Sequence, residues 1–190
     1  MVLEESAGAT SSGTALKWVT RLVLALGLVG LMASAFIYLP AVLAIEADLA
    51  ARVLSAVFRV PSYAPFTLPY IAFVDDPTYV LQITPECSAV FLTAPFFAVA
   101  ALFLLSRRFS PARILPALLL SVTIIVVINE VRIAFIGATL VWWGIDGYGW
   151  THTVTGSLMS VGAIVGAVAM SYLVMKRRKQ RASPEILSAP

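Results

Sequence analysis

The chain has one cysteine, one histidine and little charge: 12% of its 190 residues are Asp, Glu, Lys or Arg. A lone thiol excludes an internal disulfide and leaves a dithiol oxidoreductase without its second sulfur. No cluster of His, Cys, Asp and Glu has metal-ligand spacing, and no glycine-rich phosphate loop or nucleotide motif occurs. Neither a metal nor a cofactor is therefore expected. Nucleic acid is excluded as a partner too, because the net charge of +3 is small and the basic residues sit beside apolar segments rather than on a broad patch.

What the chain has in abundance is hydrophobic side chains, 60% of the total, in runs too long for a small soluble core. The expected fold is an all-α integral membrane protein. Residues 1–15, rich in Ser, Gly, Ala and Thr, read as a disordered N-terminal tail. Residues 16–175 form a single membrane-embedded domain, and 176–190 a basic cytoplasmic tail. The first span covers about 16–39 and ends at Pro40. Its Ala33-Ser34-Ala35 resembles a signal-peptidase site faintly, but the run is long and starts late, so it reads as a retained anchor.

Between Glu46 and Val60 the apolar residues Leu49, Val53, Leu54, Val57 and Phe58 recur at helical spacing among four charges, which predicts an amphipathic helix lying in the interface. Residues 66–73 and 78–83 are rich in β-formers and flank Val74-Asp75-Asp76-Pro77. They read as a small hairpin or an extended loop outside the bilayer. A second span begins at or near Cys87, with Thr84 as its cap and Pro85 at its first position, and runs to about Leu105. A third apolar stretch covers 114–143, interrupted by Asn129-Glu130-Val131-Arg132. The last span covers 153–175, where Gly156, Ser160, Gly162 and Gly166 offer small faces for packing.

Loop charges set the orientation. The 40–86 segment carries −3, the 106–113 loop +3 and the tail after Met175 +4. Positive loops stay cytoplasmic, which puts the C-terminus inside and the 40–86 and 144–152 segments outside, with four net crossings. A helix rising 1.5 Å per residue from Arg113 covers roughly 25–29 Å by Asn129–Arg132, so that polar quartet reaches the outer leaflet. Cys87 and His152 start their spans from the same side. Residues 133–143, too apolar for a loop, either continue a long helix or form an interfacial or re-entrant turn.

One thiol, one imidazole and one guanidinium at a common depth make a coherent site. Helix N-termini and nearby cations favour the thiolate, the form that attacks an acyl carbonyl. His152 can carry the leaving amine's proton. Arg132 cannot act as a base but can stabilise an oxyanion, and Asn129, on the same helical face, can orient it. The plainer alternatives are a Cys that fills space, a His that anchors at the interface and an Arg that pairs with Glu130.

Three motifs in order, Glu86-Cys87-Ser88-Ala89, Asn129-Glu130-Val131-Arg132 and Gly149-Trp150-Thr151-His152, resemble those of the exosortase and archaeosortase membrane transpeptidases over about residues 40–175. The chain resembles the minimal core of that family. Its members commonly have Gly where this chain has Ala89. The resemblance implies Cys87, Arg132 and His152 as catalytic residues, with Asn129, Glu86 and Ser88 in support. It also implies substrates that are secreted proteins bearing a C-terminal motif, a transmembrane helix and a basic tail, cleaved at the outer face of the plasma or inner membrane. The new carboxyl end would pass to a lipid or other envelope acceptor, and membrane lipids are the remaining partners. The competing reading is a non-catalytic assembly or transport component in which Glu130 and Arg132 line a polar path.

Overall fold

The computed structural model describes residues 5–65 and 67–176, with side chains described from residue 15. Five helices dominate: α1 (Glu5–Ile37), α2 (Leu39–Val57), α3 (Ala89–Leu105), α4 (Pro111–Trp150) and α5 (Gly156–Lys176). Helix α1 starts at Glu5, well before the expected residue 16, so most of the expected disordered tail is helical backbone. Residues 1–4 and the basic tail from residue 177 lie outside the described residues. Two helical segments, 15–37 and 111–176, are long and apolar enough to cross a membrane, and 89–105 is a shorter apolar helix.

Pro40 does more than end the first helix. It occupies the first turn of α2, where a missing amide costs nothing, so α2 begins ahead of the expected Glu46. Its buried face is only partly the one expected: Leu54 is buried and Val53 and Phe58 pack against the core. Leu43, Ala47, Ala50, Ala51 and Leu54 are buried, whereas Leu49 and Val57 are exposed. Ala47, Ala50 and Ala51 let α2 lie close against α4, with Leu43 and Leu54 packed beside them and Leu49 and Val57 pointing out. The helix ends where Arg59 adopts a left-handed backbone (φ 55°) and the Val60 amide donates back to the Leu54 carbonyl at 3.3 Å.

Of the hairpin and the extended loop that the sequence allows, the hairpin forms, with one strand more. β1 (Ser62–Tyr63), β2 (Tyr70–Phe73) and β3 (Val80–Gln82) make an antiparallel sheet in that order, with Ile71 opposite Leu81 and Tyr63 opposite Ala72. Ile71, Phe73 and Leu81 face inward and join Leu54, Ile133 and Ile136 in one core. Ser62 ties the first strand to α2, its hydroxyl donating to the Ala51 carbonyl at 3.0 Å.

That core explains the apolar stretch 133–143. It continues α4 as a long helix, and Ile133, Ala134, Ile136, Ala138 and Leu140 are buried within the domain. From Pro111 to Trp143, at 1.5 Å per residue, the helix runs about 50 Å, more than the ~30 Å of hydrocarbon. It breaks at Gly144, whose φ of 65° and ψ of −155° suit glycine alone. The expected 144–152 loop is thus helical on both sides of a single-residue reversal. Gly147 allows the returning chain to close on α4, since a Cβ there would sit 2.7 Å from the Thr139 carbonyl oxygen. A π-helical turn, Thr151–Thr155, then leads into α5, which packs along α4.

Candidate active site

Cys87 ends a short 3₁₀ turn, Pro85–Cys87, closed by the Cys87 amide donating to the Thr84 carbonyl and the Ser88 amide to that of Pro85, both at 3.0 Å. Thr84 therefore precedes this turn and does not cap α3. The cap is Ser88, in an extended conformation, whose Oγ accepts from the Val90 amide at 3.1 Å. Ala89 opens the helix with no left-handed backbone, so glycine is not required there. The thiol thus stands just ahead of the helix N-terminus, half-buried.

The fold brings the three rare residues together. Cys87 Sγ lies 3.6 Å from His152 Nε2, across 65 residues of chain. Asn129 bridges the thiol's backbone to the arginine: its Nδ2 donates to the Cys87 carbonyl at 3.0 Å, and its Oδ1 accepts from Arg132 Nη1 at 3.3 Å. Arg132 is 8% exposed and its Nε has no partner. Beneath it runs Gly156, where an added Cβ would be 3.0 Å from that Nε. Arg132 and Gly156 lie equally far from the Gly144 break, which is why the helical reversal sets them face to face.

The supporting residues divide. Ser88 is fully buried, and its hydroxyl donates to Glu46 Oε1 at 3.0 Å. Glu86 is exposed, and its own amide and the Thr84 hydroxyl hold its carboxyl below the usual range. Among the described residues the one ion pair is Arg52 with Asp48, so Arg132 is not paired with Glu130. Glu130 is buried with both oxygens unpartnered.

Two neighbours were not evident from sequence. Tyr148 stacks on the His152 ring at 5.2 Å and 21° and so limits its rotation. Its spacing of four from His152 was the available signal, obscured by the expectation of a loop. Glu46 is the other. Read as one of the exposed acids of a negative segment, it is 7% exposed and accepts from both Ser88 Oγ and the Ala89 amide at 3.0 Å. Burial pushes its carboxyl pKa up, and those two hydrogen bonds oppose the shift.

Fold and site together define a class: a helical membrane protein with a thiol, an imidazole and a buried guanidinium gathered where its apolar helices meet a small cap of helix and sheet. The family model described as transmembrane exosortase (Exosortase_EpsH) matches residues 6–169, and the chain belongs to that family. Its members are generally cysteine transpeptidases that process sorting signals. Comparisons with curated proteins and with solved structures gave no match.

Proposed function

We propose that the protein is a cysteine transpeptidase that cleaves C-terminal sorting signals of secreted proteins and passes the new carboxyl end to an envelope acceptor. The observation that carries this reading is the 3.6 Å contact between Cys87 Sγ and His152 Nε2, with Arg132 joined to the same peptide through Asn129, in a chain of the exosortase family. Sγ attacks the carbonyl carbon of the scissile peptide, and its proton passes to Nε2. Charge builds on the carbonyl oxygen, where the Arg132 guanidinium offers forked donors. His152 returns the proton to the departing amine, leaving a thioester on Cys87. An amine or hydroxyl of the acceptor then attacks the thioester, giving its proton to His152, which returns it to the sulfur as the thiol is released. Loop charges favour four crossings with this chemistry on the outer face and the C-terminus inside.

The test is the processing of a membrane-anchored substrate. Cys87→Ala and His152→Ala should leave substrate uncleaved, with its C-terminal helix attached. Mass spectrometry of trapped wild-type enzyme should find Cys87 carrying a fragment that ends at the cleavage site. Normal processing by Cys87→Ala defeats the proposal.

A further inference from the structure

Glu46 comes from α2, remote in sequence from the motifs, yet its carboxylate enters the interior at the start of α3. Burying a carboxyl group is costly unless it is satisfied, so its partners define its purpose. Oε1 takes two donors, Ser88 Oγ and the Ala89 amide, each at 3.0 Å. Ser88 Oγ in turn accepts from the Val90 amide. The first amides of α3 are thereby satisfied by one carboxylate and one hydroxyl. One peptide earlier, Asn129 holds the Cys87 carbonyl. The Cys87–Ser88 linkage is therefore clamped between α2 and α4. A cysteine side chain has one rotatable bond to its sulfur, so fixing that peptide leaves Sγ only the few staggered χ1 positions, one of which meets His152.

We infer that Glu46 is a positioning residue for the Cys87 nucleophile: through Oε1 it locks Ser88 and the first turn of α3, and so sets the Sγ–Nε2 approach. The inference rests on the reading of Cys87 as nucleophile and adds a residue to that site. The clamp needs an acceptor at Oε1 rather than a charge, because the two groups that donate to it, a hydroxyl and a backbone amide, are neutral. Glutamine can supply that acceptor, and alanine cannot.

The experiment uses the full chain in lipid nanodiscs and reads two quantities: kcat and KM on a signal-bearing substrate, and the pH profile of Cys87 alkylation by iodoacetamide. Glu46→Ala should lower kcat by about 10²-fold, the cost of a misplaced reacting group, while KM stays within about two-fold. Its alkylation profile should move to that of His152→Ala. Glu46→Gln should keep kcat within about five-fold of wild type and keep the wild-type profile. Ser88→Ala, which removes one of the two donors, should lower kcat by about ten-fold and serves if the Glu46→Ala protein does not accumulate. Wild-type kcat and alkylation in Glu46→Ala or in Ser88→Ala overturn the inference, as does a Glu46→Gln protein no better than Glu46→Ala. If Cys87→Ala still processes substrate, the nucleophile reading falls first. If Cys87→Ala is inactive while Glu46→Ala works normally, the role of Glu46 alone falls.

Discussion

The two ends of α3 are closed by mirror-image solutions. At its C-terminus, Arg21 of α1 donates to the carbonyls of Leu104 at 3.3 Å and Phe109 at 2.8 Å, and to that of Ser106. At its N-terminus, Glu46 of α2 accepts from the first amide. A cation at the carbonyl end and an acid at the amide end are what the helix dipole and its orphan groups call for. The ends differ in what remains unsatisfied. Around Glu46 the buried interior holds its own Oε2, both Glu130 oxygens and Arg132 Nε without partners. None of these stranded atoms belongs to the Arg21 end. One end is paired through Arg21, and the other, beside the proposed nucleophile, retains buried polar groups without partners.

The sharpest way to break this comparison is at Arg132. A lysine keeps the charge, but its donors radiate from one nitrogen, so a lysine that holds Asn129 cannot place a donor where the second arm of the guanidinium fork stands. Arg132→Lys should lower processing by about 10²- to 10³-fold, the scale of losing an oxyanion donor, with protein levels in the membrane largely kept. Quantitative immunoblotting beside the processing assay checks both. Full activity in the lysine variant, or loss of the protein itself, removes the catalytic role and leaves Arg132 as a structural residue.

The candidate site was legible because its residues are rare. In a chain with one Cys, one His and one deeply placed Arg, depth and side alone brought Cys87, Arg132 and His152 together. What sequence could not show were the groups that hold them. Glu46 looked exposed because the neighbouring charges Asp48 and Arg52 form an exposed ion pair, and only the tertiary approach of α2 to α3 turns it inward. The α2 face was read only in part, Leu54 but not the alanines, because a helix in apolar surroundings need not bury all of its large hydrophobic residues. Ala47, Ala50 and Ala51, not Leu49 and Val57, mark the contact. The segment 133–143 stayed ambiguous since a buried helix and a membrane-inserted one have the same composition. Gly144 was the cue to its end, but one glycine's backbone angle is not visible in a sequence.

A smaller effect is expected where α5 passes under the arginine. Gly156→Ala places a methyl 3.0 Å from Arg132 Nε and 3.2 Å from the Thr151 carbonyl oxygen, so the guanidinium must shift. Processing should fall by about ten-fold with little change in thermal stability, since a displacement of a few tenths of an ångström disturbs alignment before packing. Activity equal to wild type would mean that the position of Arg132 is not critical.

At the opposite end of α3 the expectation reverses. Arg21→Met removes the donors to three carbonyls and should lower unfolding free energy by about 2 kcal/mol, read as a lower melting temperature in detergent. Activity per folded molecule should not change. A drop in kcat at permissive temperature would show that the two ends of α3 are coupled and that the division between them is wrong.

The smallest change is expected on the free side of α5. Gly162 was anticipated as part of a close-packed small face, yet nothing lies within 4 Å of a Cβ built there, in contrast to Gly156 in the same helix. Gly162→Ala therefore meets no steric cost and gains helix propensity, worth up to about 1 kcal/mol of stability. Melting temperature should rise slightly or stay level, and processing should be unaltered. A clear loss of activity in Gly162→Ala, with the protein still folded, would reveal that another helix packs on this face during turnover, because the isolated chain offers the added methyl nothing to strike.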